Sequence, residues 1–146
     1  MPNTITGVFP VYTNQFEVKT GDDVWSTVAE LEEVNVTIDN TTEEWNTFVN
    51  EGWGSALVTG KKSSIEIKGK RCVGDAGNDF IAGKLMASGA DAYISARITM
   101  PTGQVITWDK MACAVSNNGA SGAATNIGAL EAKLTGHGKP TVTDAE

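Results

Sequence analysis

The chain has 146 residues, 40 % of them apolar and 20 % charged, which suits one domain around a single core and is too apolar for intrinsic disorder. A net charge of −7 is the wrong sign for gripping nucleic acid through its phosphates, so tight DNA binding is not expected. The opening residues carry neither a basic cap nor an apolar run of signal or membrane-spanning length, and the reading is a cytosolic product with no membrane insertion.

Residues 1–14 read as a docking arm. Pro2, Gly7 and Pro10 interrupt any regular pattern, while Val8, Phe9, Val11 and Tyr12 offer apolar side chains to a neighbour. Strand-like alternation follows in Gln15 to Lys19, in Val24 to Ala29 and most clearly in Val34 to Ile38, all taken to face one core. Residues 39–60 break the pattern, mixing acids and glycines with Trp45, Phe48, Val49 and Trp53. They read as a long inter-strand loop or an extended hairpin. Long segments of this kind are uncommon in compact domains unless they bind something, although this one could also fold back over its own core.

Charge is segregated here. Thr20 to Gly60 holds nine acids and no Lys or Arg, whereas Lys61 to Arg71 holds five basic residues against Glu66 alone. These are either two solvated faces or an acidic segment of one subunit meeting a basic strand of another. Ser63 to Lys70 alternates, with Ile65 and Ile67 inward and Glu66, Lys68 and Lys70 outward. A helix is expected from about Asp75 to Ser88, capped by Asp75, favoured by Asp79 at its positive end, buried through Phe80, Ile81 and Leu85, and stopped by Gly89. Tyr93 to Met100, a Pro101-Thr102-Gly103 turn, Val105 to Trp108 and Met111 to Val115 continue as strands. Ile127 to Leu134 is the last strand before a Gly/Pro-rich tail, residues 136–146. With 16 glycines in turn-like settings such as Asn118-Gly119, the fold class is mainly β, a β-sandwich or small barrel with one α-helix.

Chemistry is scarce. His137 stands alone in the Gly-rich tail, so neither a metal centre nor a Ser-His-Asp set can be assembled. Asp75, Asn78 and Asp79 lack the spacing of a calcium loop and are better read as helix caps. Gly54 to Lys61 and Gly77 to Lys84 fail the phosphate-loop spacing by one residue. No catalytic residue, metal or cofactor is expected. Cys72 and Cys113 are expected to be free thiols.

The order of features resembles phage tail tube proteins: an apolar arm, a sheet, a Trp-bearing segment ending in Val58-Thr59-Gly60-Lys61, the strand Ile65-Glu66-Ile67, then Lys70-Arg71-Cys72-Val73-Gly74-Asp75 running into the helix, and a closing Gly138-Lys139-Pro140-Thr141. The fold of that family is related to those of type VI secretion tubes and contractile-tail inner tubes. The resemblance implies a structural virion protein of the tail, made in the host cytoplasm, that stacks as six-fold rings around a negatively charged channel. DNA would be in transit only, and a non-contractile tail is favoured. Partners would be further copies of the chain, the tape measure protein and tail terminator or distal tail proteins. Subunit-interface candidates are Phe9, Tyr12, Glu43, Glu44, Trp45, Phe48, Glu51, Trp53, Lys62, Lys68 and Lys70. The competing reading is a β-sandwich carbohydrate-binding module using Trp25, Trp45, Trp53 or Trp108 as a stacking platform.

Overall fold

A computed structural model describes residues 6–144. Eight strands form one antiparallel sheet: β1 (Gln15–Gly21), β2 (Val24–Thr27), β3 (Leu31–Asn46), β4 (Gly54–Lys70), β5 (Tyr93–Thr99), β6 (Val105–Asn118), β7 (Ala129–Gly136) and β8 (Thr141–Thr143). Their order is β2-β1-β5-β6-β7-β4-β3, with β8 pairing the start of β6. The sheet curls around its apolar face without closing into a barrel, so β2 and β3 are left as edges. Two readings change here. Val105 to Val115 is a single strand with a bulge opposite Ile94 and Ala96, and the C-terminal tail contributes the strand β8.

Period-2 alternation builds the core. Ile65 and Ile67 from β4, Ile94, Ala96 and Ile98 from β5, and Leu130, Ala132 and Leu134 from β7 are all buried on the same face. Val34, Val36 and Ile38 start inward but run past it: Val36 and Ile38 are 43 % and 45 % exposed.

The one α-helix, α1 (Ala76–Ala82), covers the apolar face. It is shorter than expected because Gly83 caps it and only turns follow. Ile81 is fully buried, whereas Phe80 and Leu85 are half-buried at its margin. Asp75 caps it as anticipated, its Oδ2 accepting from the Asn78 N–H at 3.0 Å.

Asn78 was read only as a capping residue, and it ties the domain together. It is completely buried. Its Nδ2 donates to the carbonyls of Ala29 (3.1 Å) and Lys70 (3.0 Å), and its Oδ1 accepts from the Cys72 N–H (3.0 Å) and Arg71 Nη1 (2.8 Å). That uses both donors and both lone pairs of one amide to join α1, the end of β4 and the β2–β3 connection. Arg71 also donates to Asp79 at 2.8 Å. Close approach is possible only at glycine: a Cβ on Gly77 would collide with the Thr27 carbonyl.

Asn78→Ala should destabilise the monomer by at least about 3 kcal/mol, because several buried backbone groups lose their partners at once; an unchanged thermal midpoint would contradict the tie. Ile81→Ala should cost about 2–5 kcal/mol, and Leu85→Ala clearly less. The Arg71 hydrogen bond holds the Asp79 carboxyl below its ordinary value of 3.8. A carboxyl lowered on folding contributes stability above that ordinary value and loses it as pH falls through the folded value. Asp79→Asn should therefore lower stability near neutral pH and flatten its decline on the acid side, as followed by urea titration at several pH values.

Candidate assembly surfaces

Residues 39–60 are an extended hairpin rather than a loop. β3 and β4 stay paired from Leu31↔Gly69 to Asn46↔Gly54, with a bulge at Thr59 where Thr41↔Gly60 gives way to Thr42↔Val58. The last contact of β4 with β7 is Ser64↔Thr135. Ser63 still touches Trp108 and Gly136, and from Lys62 outward β3 and β4 pair only with each other. A two-stranded ribbon therefore projects for roughly 30 Å at about 3.3 Å per residue.

Residues directly opposite share a face, so Glu43, Trp45 and Leu57 lie on one side of the ribbon, and Glu44, Ala56 and Val58 on the other. The tip turns through Glu51 and Gly52, both at positive φ, and is closed by the Glu51 and Trp53 amides donating to the Phe48 and Asn50 carbonyls. Phe48 and Val49 are fully exposed, Trp53 is 77 % exposed and Trp45 is 45 % exposed. The ribbon does not cover its own core.

The charge segregation resolves within the chain, because the acidic strand β3 and the basic strand β4 are neighbours. Lys70 bonds Glu32 at 3.0 Å, Lys68 lies 3.5 Å from Glu66, and Lys62 stands opposite Asp39. Among the described residues Glu43, Glu44 and Glu51 enter no salt bridge.

In the described part of the arm, Val8, Val11 and Tyr12 are exposed and Phe9 is half-buried; Met1 to Ile5 lie outside the described residues. The arm borders a groove of about 580 Å³ between the inner face of β3 and the ends of β1, β5 and β6. Sequence patterning could not reveal it, since its lining comes from four separate segments.

Of the four tryptophans considered for a sugar platform, Trp108 and Trp25 present no open face. Trp108 is buried, its Nε1 donating to Ser63 Oγ at 3.0 Å, and Trp25 is covered by the Arg97 guanidinium 4.5 Å from its ring. Neither principal groove has a tryptophan in its lining. His137 is exposed, its ring edge-on to Tyr93 and its backbone N–H donating to the Lys110 carbonyl at 2.9 Å. Among the described residues no group of three or more His, Cys, Asp and Glu converges. Cys72 and Cys113 are free, and burial pushes the Cys113 thiol up to about 11.

No family model matches the chain, and no curated protein matches it in sequence. Solved structures do. A chain in the tail of an empty gene transfer agent particle, refined with C6 symmetry, superposes with a TM-score of 0.71 at 15 % identity over 93 % of this chain and 99 % of that one. A chain in the sheath–tube complex of the extracellular contractile injection system PVC gives 0.64 at 16 % identity over 94 % and 92 %. The tube-terminating cap of the anti-feeding prophage gives 0.65 at 13 % identity over 97 % and 95 %. The chain shares the fold of these components of a particle tail and of tube-bearing injection systems.

Proposed function

We propose that the chain is a structural subunit of a tail tube, assembling into six-fold rings that stack into a conduit for DNA. The observation that carries this is a sheet open at both edges with a projecting apolar ribbon, in a chain that shares the fold of components of a particle tail and of tube-bearing injection systems. The free edges, β2 and β3, lie at opposite ends of the sheet. Edge-to-edge contact between copies is therefore head-to-tail, the kind that closes into rings when the rotation allows. The C6 symmetry of the gene transfer agent tail supports six copies per ring.

The ribbon is suited to reach an adjacent copy. Trp45, Phe48 and Trp53 would supply the buried centre of that contact, with Glu43, Glu44 and Glu51 at its rim. Lys62, Lys68 and Lys70 remain candidates for the opposing surface, although their intrachain acids must share them. A net acidic subunit suits a channel wall past which DNA slides without sticking. The tape measure, terminator and distal tail proteins are the natural further partners, in a tail assembled in the host cytoplasm. The neighbours include chains from a contractile system, so the fold lends no weight to a non-contractile tail.

Negative-stain microscopy of the purified protein should show rings or tubes; a dispersed monomer at every concentration would contradict the reading. Replacing residues 40–61 by a two-residue Asn-Gly turn should leave a folded monomer whose thermal midpoint moves by only a few degrees, because the ribbon covers no core. Tube formation should disappear. Normal tubes from this variant would remove the ribbon from assembly, and an unfolded monomer would return its aromatics to the subunit's own core.

A further inference from the structure

The groove beside β3 has the features of a seat awaiting a strand. Phe16, Leu31, Val36, Ile98, Met100 and Ile106 give it apolar walls, and Glu30, Glu32 and Glu33 stand at its rim. β3 is the terminal strand of the sheet, so the backbone groups along its outer edge have no strand partner. Asn14 also lines the groove, and its Oδ1 is inaccessible to solvent without a hydrogen-bond partner among the described residues.

Charge selects the occupant. The ribbon tip carries Glu43, Glu44 and Glu51 and would bring like charge to an acidic rim. The tail strand β8 is already paired with β6. Residues 6–14 of the arm carry no charged side chain, and Pro10 is extended at φ −71° and ψ 145°. Val8 is fully exposed, so the arm does not fill the groove of its own copy. Five extended residues span about 16 Å, close to the reach of β3 from Leu31 to Val36.

We propose that this groove takes residues 6–10 of the arm of a second copy, laid along the free edge of β3 from Leu31 to Val36 with Val8 and Phe9 as apolar anchors, which leaves the edge beyond Val36 for contact with β2 of a neighbour. This rests on the tube reading and names the seat of one of its contacts. It is a strand addition, in which main-chain pairing gives affinity and the groove gives specificity.

Copies carrying Val8→Cys are mixed with copies carrying Ile106→Cys, assembled and oxidised, and the linked peptides identified by mass spectrometry. A disulfide joining the two kinds of copy should form in tubes and fall at least tenfold in dilute monomer. A link formed within dilute monomers carrying both changes would overturn the exchange in favour of a folded-back arm. Tubes without the link would overturn the seat while leaving the tube reading intact, and failure of the unaltered protein to assemble would overturn both. As a second readout, Val8→Glu should raise the concentration needed for assembly at least tenfold over Val8→Lys, since only the former meets the acidic rim with like charge. Equal effects would overturn the proposal.

Discussion

Pairing of β4 with β7 stops at Ser64, while pairing of β4 with β3 continues to Gly54. From Lys62 outward the chain is a two-stranded ribbon with no core beneath it, and such a ribbon is marginal by itself in water. Backbone pairing, the Lys61–Asn40 contact at 2.7 Å and the Asn50–Ser55 contact at 3.0 Å keep it extended, but among the described residues nothing covers Phe48 or Val49, and Trp53 is largely open. Burying those side chains needs another molecule. The same departure keeps the sheet open, because β3 leaves the domain instead of turning back to meet the other edge strand, β2.

The opening is asymmetric. At one end of the gap between β3 and the β1–β2 hairpin, Asn78 and Asp75 bind the Ala29 carbonyl and amide, and Lys70 donates to the Glu30 carbonyl at 2.9 Å. Gly69 lets Glu30 approach so closely that a Cβ there would collide with its carbonyl. At the other end the walls diverge into the apolar groove. A fully satisfied amide network is rigid, because every alternative position of Asn78 strands a buried polar group. The subunit therefore presents a fixed closed end and an open, apolar end, an arrangement suited to adding a strand without refolding.

Strands over the core were legible in the sequence because alternation records burial: Ile65 and Ile67 or Ile94 and Ile98 could be read directly. The ribbon was legible only as one of two alternatives, a long loop or an extended hairpin. Thr41, Thr42, Glu43 and Glu44 are solvated on both faces, so no period-2 signal marks them, and the same exposure that makes the segment available for assembly erased its signature. The helix was overextended because Leu85 and Met86 continue its apolar composition beyond Gly83, where the chain turns. Among the interface candidates, Phe48 and Trp53 were chosen from composition alone, and the structure leaves both exposed. The groove was hidden, being made by curvature of the sheet rather than by local pattern. Asn78 was also hidden, since a buried amide looks like any turn asparagine until its four partners are seen together.

Hydrogen exchange compared between monomer and assembled tube tests the central claim most directly, namely that the ribbon and the free edge of β3 are completed by other copies. In the monomer the amides of residues 39–60 should exchange far faster than those of β5 and β7, which lie in the middle of the sheet. On assembly, protection should rise in that ribbon and along the outer edge of β3, and stay unchanged around Asn78. Tubes that leave the ribbon amides as fast as in the monomer would contradict the account.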